Sequence, residues 1–75
     1  MKLSDRLRAK EVIFLTARQF GVTVEEVRRN IQATIDDAWA NADPEERQHQ
    51  LKIFPNGKPT VEEFIIVTAT LAQED

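Results

Sequence analysis

Between positions 24 and 41, apolar side chains return at Val27, Ile31, Ile35, Ala38 and Trp39, every three to four residues. Glu25, Arg28, Arg29, Gln32 and Asp36 occupy the opposite side. That period belongs to an amphipathic helix with one buried stripe, and it predicts a helix over 24–41. The start is written locally. Thr23-Val24-Glu25-Glu26 has capping-box spacing, in which the hydroxyl accepts from the third amide while Glu26 reaches back to the amide of the cap. Upstream, Leu3, Leu7, Phe14 and Ala17 fall on one helical stripe with Ile13 beside it, predicting a helix over about 5–19. Ser4 is the expected N-cap of that helix, and Gly21 the positive-φ residue that stops it.

Downstream, Asp43-Pro44-Glu45-Glu46 supplies an acceptor cap, a proline at the first helical position and acid in the first turn. A short helix over about 44–53 follows, with Leu51 and Ile53 as its inward residues. Pro55-Asn56-Gly57 predicts a turn. From Pro59-Thr60-Val61-Glu62-Glu63 a last helix runs to about 73, with Val61, Phe64, Ile65, Thr68 and Leu71 inward. No segment alternates with the period of a strand, and no hairpin turn joins two such segments. The expected fold is all-α: four helices in a single domain, 1–75, with a helix-turn-helix at its centre.

Composition narrows the class. Of the 75 residues, 41% are hydrophobic and 31% charged, a globular balance without the low hydrophobicity of disordered chains. No cysteine is present, so neither a disulfide framework nor a thiolate metal site supports the small core. No apolar run approaches the roughly 20 residues of a membrane span, and no signal-peptide pattern opens the chain. A cytoplasmic location is the expectation. The net charge of −3 argues against a nucleic-acid partner, but it is unevenly spread. Residues 1–20 carry five basic and two acidic groups, 21–42 two and four, and 43–75 three and seven. The positive charge sits ahead of the central helix.

The segment Ala17-Arg18-Gln19-Phe20-Gly21-Val22-Thr23, with Val27 and Ile31 following, has helix-turn-helix spacing. Ala17 is small where the second helix crosses. Phe20 is expected to bury in the angle between helices, and Val22 to plug the turn from inside. In a DNA-binding unit the exposed side of helix 24–41 enters the major groove. Arg28 and Arg29 are then candidates for bidentate bonds to guanine, Gln32 for adenine, and Glu25 for a cytosine amino group. Thr23 stands at the helix N-terminus, within reach of a phosphate. The plainer reading of the same face is a solvated surface in which Glu25 pairs with Arg28 or Arg29.

These residues carry a resemblance. Ala17-x-x-Phe20, Val27-x-Arg29-x-Ile31-x-x-x-Ile35-x-x-Ala38-Trp39, Leu51-x-x-Phe54 and Lys58-Pro59-Thr60-x-x-Glu63-Phe64-Ile65 run over most of the chain. Together they resemble the C-terminal effector domain of stage-zero sporulation protein A, the sporulation response regulator of endospore-forming bacteria. The resemblance implies an all-helical domain that binds promoter DNA and pairs with a second copy there, with Thr23, Arg29 and Lys58 as the positions carried over. The chain departs from that family at Glu25, Glu26, Gln32 and Ala33, several of which are basic or hydrogen-bonding there. It also begins too late for the family's earlier helices and its phosphoryl-accepting receiver.

Other chemistry has a plain explanation. His49 is the only histidine and has no Cys or second His near it, which gives neither a metal site nor a triad. Glu25-Glu26, Glu45-Glu46 and Glu62-Glu63 sit in first turns, where the helix dipole favours acid. Gly21 and Gly57 are the only glycines, too few for a phosphate loop. The chain is therefore expected not to be an enzyme, and to use no cofactor, metal or small-molecule substrate. The leading expectation is a bacterial, sequence-specific DNA-binding transcriptional regulator without a receiver. Residues 1–20 and Lys58 would face phosphates, and a second copy or a protein partner would complete the assembly. The alternative is a small interaction module that kept the fold, lost DNA binding and modulates another regulator.

Overall fold

The computed structural model describes residues 2–73. Within them lie four helices: α1 Leu3–Phe20, α2 Val24–Ala40, α3 Pro44–Ile53 and α4 Val61–Gln73, and no strand. Three begin at side-chain caps read from sequence. The Thr23 hydroxyl accepts from the Glu26 amide at 3.1 Å, the Asp43 carboxylate from Glu46 at 2.8 Å, and the Thr60 hydroxyl from Glu63 at 3.1 Å. The reciprocal bond of the capping box forms only at α4, where the Thr60 amide donates to the Glu63 carboxylate at 3.3 Å. At α2, Thr23 accepts from the Glu26 amide, but its own amide does not bond the Glu26 carboxylate.

The start of α1 differs from expectation. Lys2 is the N-cap, with extended backbone and no side-chain bond, and Ser4 lies exposed within the first turn. Two backbone bonds to the Lys2 carbonyl, from Asp5 at 3.1 Å and Arg6 at 3.2 Å, set the helix two residues earlier. At the other end the glycine expectation holds. Gly21 is left-handed at φ 66°, its amide bonds the Arg18 carbonyl at 3.4 Å, and the Val22 amide bonds Ala17 at 3.0 Å. That pair of bonds is a Schellman stop, which needs a residue at ease with positive φ. Nothing crowds a Cβ at Gly21, so Gly21→Ala costs backbone strain alone. We expect destabilisation of about 1 kcal/mol in a thermal melt.

The core joins Ile13, Ala17, Val27, Ile35, Trp39, Phe54 and Val61, with Val24, Ile31, Ile53, Phe64, Ile65 and Val67 packed around it. α1 rests on both α2 and α4, and α2 also touches α4. The buried face of α1 is Ala9, Ile13 and Ala17, at strict four-residue spacing, rather than Leu3, Leu7, Phe14 and Ala17. Two alanines on that face let the neighbouring backbones approach, and the larger residues are left outside. Phe20 and Val22 are also outside: Phe20, the last residue of α1, is 70% exposed. Gly21 turns the chain just past it, and Val24 packs against the core from the start of α2. Leu51, Thr68 and Leu71 are exposed as well, whereas Ile53, Val61, Phe64 and Ile65 pack inward as expected and Phe54 and Val67 join them.

An aromatic series ties the C-terminal half to α2. Phe54 meets Trp39 edge-on, with ring centres 5.6 Å apart, and stacks on Phe64 at 6.3 Å. The turn Phe54–Gly57 closes with a 3.0 Å bond from the Gly57 amide to the Phe54 carbonyl, as Pro55-Asn56-Gly57 predicts. α3 buries no residue of its own. It is held instead by the carbonyls that every helix leaves unpaired at its C-terminus. Arg47 donates to the Trp39 carbonyl and Gln50 to Ala38 at 3.2 Å.

Candidate nucleic-acid interface

α2 positions five of the six candidate residues, because its inward stripe fixes which side each of the others occupies. Thr23, Glu25 and Arg29 stand exposed at its N-terminal end, with Thr23 engaged as the cap. Arg28 does not pair with Glu25. It turns toward α4, where its guanidinium donates to the Glu62 carboxylate, and both groups are partly buried. Gln32, also partly buried, donates to the Asp36 carboxylate at 2.9 Å. Lys58, ahead of α4, forms an ion pair with the same Asp36.

The six candidates thus divide. Arg28, Gln32 and Lys58 are drawn into a seam between α2 and residues 58–62, closed by Asp36 and Glu62. Thr23, Glu25 and Arg29 face outward. Among the described residues, no ion pair involves Arg29. Glu25, Glu26, Asp36 and Asp37 share the exposed surface of α2 with it, so the outward face is acidic around one unpaired guanidinium.

The electrostatics of the seam follow from its contacts. The Lys58 ammonium and then the Gln32 amide, both hydrogen-bonded to Asp36, hold its carboxyl below the usual carboxylate range. Partial burial pushes the Glu62 carboxyl up. The Arg28 guanidinium, a backbone amide and the charges of Arg28 and Lys10 outweigh that and leave it below its ordinary value. Groups whose folded pKa is lowered stabilise the fold above their unfolded values and lose that contribution as pH falls. The unfolded values lie near about 4. Stability should therefore be flat around neutrality and decline below about pH 4.5 as the seam protonates. In acid melts, the double variant Asp36→Asn, Glu62→Gln should lose less stability over that range than the parent chain.

The sequence places Asp36 on the polar side of α2 without showing its bonds to Gln32 and Lys58, and gives no sign that Glu62 joins that surface. The Gln32–Asp36 contact has ordinary four-residue helical spacing and was open to inspection. The Arg28–Glu62 contact joins residues 34 apart and has no local signal. Elsewhere, an open groove along α3 is lined by Asp43, Glu45, Glu46, His49 and Lys52. Among the described residues no group of three or more His, Cys, Asp or Glu could hold a metal ion. No described helix is long and apolar enough to cross a membrane.

No family model, curated protein or solved structure matches this chain.

Proposed function

We propose that the chain is a DNA-binding regulator of helix-turn-helix type, with α2 as the reading helix. The observation that carries this reading is the N-terminal end of α2. A three-residue turn with a Schellman stop joins α1 to a Thr-capped helix, whose first two turns present Arg29 unpaired and exposed. That is the placement from which a guanidinium makes bidentate bonds to guanine O6 and N7. The residues shared with the sporulation-regulator effector domain support the same role for Thr23, Arg29 and Lys58. Lys2 at the cap of α1 and Arg6, Arg8 and Lys10 on it, all exposed, supply charge toward phosphates. Arg28 and Lys58 join them by exchanging a carboxylate partner for a phosphate.

A second reading rests on the same face. Glu25, Glu26 and Asp37 share the exposed surface of α2 with Arg29, while Asp36 pairs with Lys58, and this acidic side would suit a basic protein surface better than a phosphate backbone. Fluorescence anisotropy with a labelled mixed-sequence duplex separates the two. For DNA binding, log affinity falls linearly with log salt, with a slope of about −0.9 for each phosphate neutralised. An anisotropy that stays flat at low salt and high protein concentration would overturn the DNA reading and leave the interaction module.

A further inference from the structure

The solvent-facing side of α1 is built for contact. Leu3, Leu7 and Phe14 are 73%, 57% and 52% exposed, although each lies on a well-formed helix. Leu3 and Leu7 are four residues apart and Leu7 and Phe14 seven, so they form one stripe beside the buried Ala9–Ile13–Ala17 face. Phe20 and, in the turn beyond α1, Val22 are exposed too, but Phe20 falls in line with Ile13 rather than with the stripe. Single exposed apolar residues are ordinary on a monomer, but a row of this length marks an interface.

Two whole-molecule quantities agree. The accessible surface is 5780 Å², whereas a folded monomer of 8.6 kDa is expected to show about 4,700 Å². The radius of gyration is 13.1 Å, against about 11 Å for a compact chain of 75 residues. The surplus, about 1,100 Å², is spread over the chain, α3 included, and leaves room for the roughly 800 Å² that each partner buries in a standard interface.

The charges beside the stripe indicate the occupant. Glu11 and Arg18 follow Leu7 and Phe14 by four residues each, so they lie seven apart on one flank of the stripe. Both are exposed, and among the described residues neither has an ion-pair partner. One acid and one base on the same flank are complementary to themselves when the helix is turned end for end about a two-fold axis.

We propose that a second copy of this chain docks on the exposed side of α1, antiparallel, with Glu11 of each copy against Arg18 of the other. The axis passes near Phe14, which meets its own symmetry mate. Leu7 of each copy lies along the C-terminal end of the other α1, past Arg18. This pairing does not depend on DNA, so it stands or falls separately from the reading of α2.

Sedimentation velocity of the full chain, without nucleic acid, tests it. The chain should pass from monomer to dimer as concentration rises from about 10 μM to about 1 mM, a range suited to an interface at the small end of the stable class. Phe14→Glu should be monomeric throughout, with helix content unchanged because the side chain faces solvent. Glu11→Arg and Arg18→Glu should each weaken the dimer by about tenfold, since each places like charges together twice. The double variant Glu11→Arg, Arg18→Glu restores opposite charges and should return to within about threefold of the parent. A monomer at every concentration would overturn the proposal. So would a dimer indifferent to Phe14→Glu, or a double variant no tighter than the single ones.

Discussion

Trp39→Ala should remove a large share of the stability of this domain. A chain of 75 residues has a stability of about 4–11 kcal/mol, and truncating a buried tryptophan costs about 3–5 kcal/mol. Trp39 joins two parts of the core at once. Its ring is buried against Phe54, which stacks in turn on Phe64 of α4, and its carbonyl receives Arg47 of α3. α3 buries no residue of its own, so a void at Trp39 loosens the contacts that dock it. In a domain of this size each 1 kcal/mol lowers the melting temperature by about 4–8 °C, so a fall of at least about 12 °C is expected by circular dichroism. A cooperative melt within about 4 °C of the parent would show that Trp39 is not central to the core.

Arg29→Ala should weaken duplex binding by about 1–3 kcal/mol, roughly 5- to 150-fold, through loss of a bidentate base contact. Arg28 sits beside it in sequence, yet the two should behave differently. Arg28 is committed to Glu62, and its removal leaves a partly buried carboxylate unpaired. Arg28→Ala should therefore lower stability by about 1–3 kcal/mol and weaken DNA binding less than Arg29→Ala. Equal losses of DNA affinity from the two substitutions, with no difference in stability, would contradict this division of roles.

Much of the secondary structure was legible because its determinants are local. Thr23, Asp43 and Thr60 each accept from an amide three residues on, and Gly21 supplies the one left-handed residue that stops α1. The long stripe of α2 placed Val27, Ile35 and Trp39 correctly for the same reason. The face of α1 was misread because that helix is apolar around most of its circumference. Helical spacing groups Leu3, Leu7 and Phe14 with Ala17, but close helix packing selects Ala9 and Ile13 beside Ala17. Phe20, Val22, Leu51 and Leu71 were misassigned because a periodicity ending at a turn or a helix end does not say where the next element lies. At the candidate site, the positions on α2 were legible and their state was not. Whether Arg28 is free or paired depends on Glu62, brought close only by the packing of α4.

A two-dimensional NMR titration of the chain with mixed-sequence duplex at low salt bears most directly on the role proposed for α2. Shifts concentrated at residues 23–33 and at Lys58, fading steeply as salt is raised, are the expected result. Spectra unchanged at near-millimolar protein, or shifts confined to α3 and α4, would contradict it.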